Sequence, residues 1–194
     1  MAGSSRYIAV LDACVMYPIT VTNVLAQLAV DGLYTAKWTR RIDVEWVGAL
    51  LKNYQNFSQE QASRRLDALH AAIPDWEIEE ERYLDLIEIL DLPDPKDRHV
   101  LAAAIAGHAD CIVTFNTKDF PFLEMEKRGI EVLHPDDFIS LQLTLEPVLA
   151  LTSIKHIRAR FKNPPKTAQE FIALLERVGL VGFADKLKDA VELI

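Results

Sequence analysis

Disulfide scaffolding is the first thing the sequence excludes, because its 194 residues include only two cysteines, Cys14 and Cys111, far apart in the chain. A reducing cytoplasm is the expected compartment. Long hydrophobic runs are also missing. No stretch approaches the roughly 20 apolar residues that span a bilayer, and the single apolar run near the start is interrupted by Asp12. Neither a membrane partner nor a signal peptide is therefore expected. Positive charge is scarce as well: 21 Lys and Arg stand against 29 Asp and Glu, a net charge of −8. That balance excludes a nonspecific electrostatic binder of nucleic acid, but not an enzyme that meets phosphate through bound cations. Internal repeats and low-complexity tracts are absent.

What is present is a periodic pattern of apolar residues, half of the chain, with about a quarter of the residues charged. This is the composition of a packed domain. Short β-prone runs at 6–11 (RYIAVL), 33–38 (LYTAKW), 76–79 (WEIE), 111–115 (CIVTF) and 130–134 (IEVLH) predict strands. Helical spacing separates them, with Thr39 as a cap and Ser58-x-x-Gln61 as a capping box. Alternating strands and helices predict a three-layer α/β/α fold around a central, mainly parallel sheet. After residue 144 only helical periodicity remains. The charge changes there too, from 13 basic against 23 acidic residues in 1–144 to 8 against 6 in 145–194. The expected division is a catalytic-type domain over 1–144 and a helical C-terminal extension over 145–194. The basic stretch 155–166 is either a strand-holding surface or a solvated helix face.

Parallel α/β sheets bind ligands beyond the carboxyl ends of their strands. Asp12 ends the first strand, Asp97 opens the helix before CIVTF, and Asn116 and Asp119 follow that strand in TFNTKDF. Glu45, on the helix after the second strand, is within reach of the same rim. Gathered carboxylates repel one another and are costly to desolvate unless a hard cation joins them. Mg²⁺ or Mn²⁺ suits such a set, because Mg²⁺-type ions take a few carboxylates and complete their shell with waters and phosphate oxygens. The chemistry this implies is hydrolysis of a phosphodiester.

These segments resemble the PIN-domain nucleases, in the subgroup related to VapC-type toxins of bacterial toxin–antitoxin pairs. The resemblance is carried by VLDACVMYP (10–18), the WTRRIDVEW segment around Glu45, LPDPKDRHVLAAAIAGHAD (92–110) and IVTFNTKDFP (112–121), in the family's order. It implies a metal-dependent endoribonuclease leaving a 5′-phosphate and a 3′-hydroxyl. Asp12, Glu45, Asp97 and Asp119 would then be the catalytic and metal-binding acids. The fourth position departs from the family, since Asn116 stands where many relatives have Asp. Asp119 is taken as that ligand, with Asn116 in support. Thr114, Asn116 and Asn23 are the candidate substrate-binding residues. An RNA substrate, a cognate antitoxin and a homodimer are the partners the resemblance implies.

The other reading consistent with these residues is a non-catalytic RNA- or protein-binding module on the same fold. A phosphatase with a nucleophilic Asp12 requires a second acid two residues on, where this chain has Cys14. Cys14 itself reads as a small buried hydrophobe.

Overall fold

The computed structural model describes residues 7–194. Arg6, expected to open the first strand, lies outside them. In chain order the elements are β1 (Ile8–Leu11), α1 (Ala13–Met16), α2 (Ile19–Val30), β2 (Thr35–Lys37), α3 (Arg40–Asn53) and α4 (Gln59–Ala72). Next come α5 (Leu84–Ile87), α6 (Arg98–Ala106), β3 (Cys111–Val113), α7 (Phe122–Glu126) and β4 (Glu131–Leu133). The chain finishes with α8 (Pro135–Leu145), α9 (Pro147–Ala159), α10 (Ala168–Arg177) and α11 (Val181–Lys188).

The strands form one wholly parallel sheet in the order β2-β1-β3-β4, flanked by helices. The α/β expectation is met. β1 and β3 lie side by side at its centre, with Ala9 beside Cys111 and Leu11 beside Val113. Their near-continuous apolar sequences follow from burial on both faces, and Ala9, Val10, Ile112 and Val113 are fully buried. Because both strands run the same way in this register, Asp12 and Thr114 leave the sheet at the same edge. The Asp12 N–H still continues the ladder, donating to the Val113 carbonyl at 3.1 Å.

Local rules account for most element boundaries. The Thr39 hydroxyl accepts from Ile42 N at the start of α3. Ser58 and Gln61 satisfy each other's backbone N–H in a capping box at α4. Gly32, at φ 85°, supplies the left-handed residue after α2. The alanines of α6 are buried against β1 and β3, where small side chains permit close approach. Gly107 ends that helix so tightly that a Cβ would fall 2.7 Å from Ile78 Cδ1.

Tertiary context overrode one strand expectation. WEIE contributes one parallel bridge, Trp38 to Glu77, and no strand. The acidic segment after it winds into only a short helical stretch before the LPDPKD turns. Two short helices, α1 and α7, lie in the connections that follow β1 and β3.

The C-terminal helices pack on the rest of the chain. α9 lies against α2 and α11 against α8. Phe171, Leu175, Phe183 and Leu187 belong to the same buried cluster as the sheet. Polar contacts sew the seam: Ser153 Oγ donates to Asp31 at 2.5 Å and Arg160 to Gln27. The Asp136 carboxylate accepts from Gly182 N and Phe183 N, both at 2.7 Å, and so caps α11 from a distant part of the sequence. No helix among the described residues is long and apolar enough to cross a membrane.

Candidate active site

Asp12 is 6% exposed, and every contact it makes fixes its orientation. As N-cap of α1 it accepts from Ala13 N through Oδ1 at 2.6 Å. Its Oδ2 accepts from the Thr114 hydroxyl at 2.7 Å and from the Cys14 thiol at 3.0 Å. Burial, and then the Asp12 charge, push the Cys14 thiol up to about 12, so it stays protonated and donates. The Cys14 sulfur in turn accepts from Phe115 N at 3.2 Å. The thiol thus ties the end of β1 to the end of β3, a role beyond that of a buried hydrophobe.

Asp97 occupies the end of a 3-10 turn (Pro95–Asp97) that leads into α6. Desolvation raises its carboxyl first. The charges of Asp12, Asp94 and Asp119 add to this, and the result lies at about 6. Asp119 ends a similar 3-10 turn (Thr117–Asp119) after β3. Three of the four expected acids therefore meet electrostatically, and none of them takes part in an ion pair among the described residues. Asp94 joins them, although turn formation alone explains its place in the sequence; its carboxylate also accepts from Lys96 N.

Glu45 is placed differently. Its carboxylate lies 3.0 Å from Nε2 of buried His99 and 3.5 Å from Nε of Arg41. It touches the cluster through His99, two residues from Asp97. His99 Nδ1 is buried without a hydrogen-bond partner among the described residues.

The three expected substrate contacts separate as well. Thr114 is fully buried, with its hydroxyl given to Asp12, so in this structure it orients an acid and offers nothing directly to a phosphate. Asn116 is exposed beside it, its backbone N–H donating to Thr114 Oγ1 at 3.0 Å. Asn23 lines a separate cavity of about 270 Å³ with Arg65 and Arg160, between α2 and α4. Asn23, on α2, turns toward α4, a direction set by the packing of the two helices.

Among the described residues no three His, Cys, Asp or Glu side chains close on a single point as a finished metal cage. The arrangement is an open rim of hard oxygen donors whose mutual repulsion is only partly offset.

The segments that build this rim match known proteins in sequence. A profile of the PIN domain matches residues 9–118, and the chain belongs to that family. A second profile, the VapC50 C-terminal domain, matches residues 135–189 and so begins with α8. Over 97 residues the chain is 40% identical to "Putative ribonuclease VapC50" of Mycobacterium tuberculosis (strain ATCC 25618 / H37Rv). That stretch covers 50% of this chain and 57% of the relative's length. No solved structure gives a significant match.

Proposed function

We propose that this chain is a divalent-metal-dependent endoribonuclease of the VapC kind, using Mg²⁺ or Mn²⁺. The observation that carries this reading is the gathering of Asp12, Asp94 and Asp119 around Asp97 at the ends of β1 and β3 and the start of α6, close enough for their charges to disfavour its ionisation. Gathering carboxylates costs energy in the empty protein, and a divalent cation recovers it. The donors fit the ion: all are carboxylate oxygens, and Mg²⁺ commonly takes one or two of them together with waters and substrate phosphates.

Asp12 would be the principal ligand, with Asp97 and Asp119 beside it and Glu45 as an outer acid oriented by His99 and Arg41. When bound, the ion supplies a more acidic water and neutralisation of phosphoryl charge. The protein's own part is to position. Thr114, Cys14 and Ala13 N hold Asp12 still. Asp97, half-buried beside Asp12, would help to hold the ion and accept a hydrogen bond from the attacking water. The exposed Asn116 amide can donate to a phosphate oxygen. Cleavage would leave a 5′-phosphate and a 3′-hydroxyl. The proposed partners are single-stranded RNA, a cognate antitoxin protein that covers the rim, and a second copy of the chain.

Purified protein incubated with short single-stranded RNA and Mg²⁺, Mn²⁺ or chelator tests the reading. Metal-dependent cleavage that disappears in both Asp12→Asn and Asp97→Asn is expected. RNA binding without cleavage, indifferent to chelator, would replace this reading with that of a non-catalytic module.

A further inference from the structure

We propose that an apolar cavity at the start of α2, walled by Tyr17, Tyr54 and Val178, receives one nucleobase of the RNA strand next to the scissile phosphate. This rests on the nuclease reading. The cavity encloses about 420 Å³, within the range of small-molecule sites. Among the described residues no charged side chain lines it, so the lining suits an uncharged ring better than phosphate or a cation.

Its aromatic residues are arranged as a stacking platform. The rings of Tyr17 and Tyr54 are stacked, with centroids 6.0 Å apart and planes at 28°. Phe57 adds a third ring, held by its backbone N–H to the Tyr54 carbonyl. Thr20 and Asn56 are the polar groups available to a base edge. Tyr17 is a rigid support. Arg65 donates to its carbonyl and to that of Met16, and Asn53 Nδ2 donates to its phenol at 3.3 Å. Tyr54 is 53% exposed, so an incoming ring can reach it.

Both walls are attached to the acidic rim. Tyr17 follows Asp12 by one helical turn and a fraction, roughly 7.5 Å of axial rise at 1.5 Å per residue. Val178 precedes Gly179, where a Cβ would meet the Phe115 ring at 3.5 Å, and Phe115 follows Thr114. The C-terminal helices thereby supply one side of the pocket. The site would discriminate between RNA sequences at one position through stacking and one or two hydrogen bonds.

The test measures binding in an Asp97→Asn background, with labelled hexa-adenylate RNA and strands carrying one abasic position moved along the hexamer. One abasic position is expected to weaken binding about tenfold, the scale of a single base–aromatic stack. Tyr54→Ala should weaken the intact strand by the same factor and no longer distinguish that abasic strand, whereas Tyr54→Phe should behave like the parent. Val178→Trp, which fills the cavity from the other side, should reproduce the loss. Equal binding of intact and abasic strands, or an equal loss for both in Tyr54→Ala, would overturn the proposal and leave the cavity to an apolar side chain of a protein partner. A wild-type protein that cleaves RNA yet shows no base dependence defeats the pocket alone. Base-dependent binding without any cleavage defeats the nuclease reading alone.

Discussion

Asp12 and Asp97 share one rim of the sheet but are held in opposite ways. Asp12 is buried at a strand end, and a backbone N–H, a hydroxyl and a thiol occupy its oxygens. Asp97 is half-buried on a 3-10 turn and makes no side-chain cap bond, and its neighbours are acids. The first is fixed at the expense of burying a charge, which its donors offset. The second is left adjustable and electrostatically frustrated. In the proposed enzyme Asp12 would set the position of the ion, and Asp97, which has no side-chain cap bond to break, would adjust to it.

That contrast can be broken experimentally, most strongly at Asp12 itself. Asp12→Asn keeps the shape but removes the charge the donors were arranged to hold. Single-turnover RNA cleavage should fall by about 10²–10³, the scale of losing one preorganised electrostatic group. Thr114→Val should follow, at about 10–100-fold in metal affinity or activity, as expected for a residue that orients a ligand. An unchanged metal titration would show that Asp12 needs no help from β3. Asp136→Ala provides a contrast from outside the rim. Both oxygens of that carboxylate accept a hydrogen bond, as both do in Asp12, but they cap α11. Its removal should cost about 1–2 kcal/mol in thermal or denaturant melts, with cleavage retained.

The smallest expected effect lies on the frustrated side. The Asp97 carboxyl titrates at about 6 in the folded protein, above its ordinary value of 3.8. Its contribution to stability is therefore complete below about 3.8 and is lost as pH rises through about 6. In chelator, wild type should be less stable than Asp97→Asn at pH 7 by no more than about 1 kcal/mol, after allowing for solvent screening. The gap should close by pH 4 and also on adding Mg²⁺ at pH 7. Melts showing no pH-dependent gap would mean that the acids do not repel as placed.

Much of this was legible from short-range pattern. The strand before Asp12, the caps at Thr39 and Ser58 and the small-residue α6 depend on neighbours three or four positions away, and all form. Thr167 and Glu170 build a second capping box by the same rule. WEIE had strand composition but found only one bridging residue beside Trp38. Cys14 looked like filler because its partners, Thr114 and Phe115, are about a hundred positions away. Glu45 looked like a rim acid because nothing local reveals that His99, from another helix, lies against it.

By itself, the sequence determined the order of strands and helices, the apolar runs that had to be buried and the identity of the acids at strand and helix ends. Those depend on periodicity and on residue chemistry. Only the tertiary structure decided that the Thr114 hydroxyl belongs to Asp12, that Asn23 turns toward α4, and that the C-terminal helices close one wall beside the rim. The reason is geometric. Parallel pairing of β1 with β3 sets residues 102 positions apart within hydrogen-bonding distance, and side-chain direction after a sheet or helix contact follows from the packing of both partners.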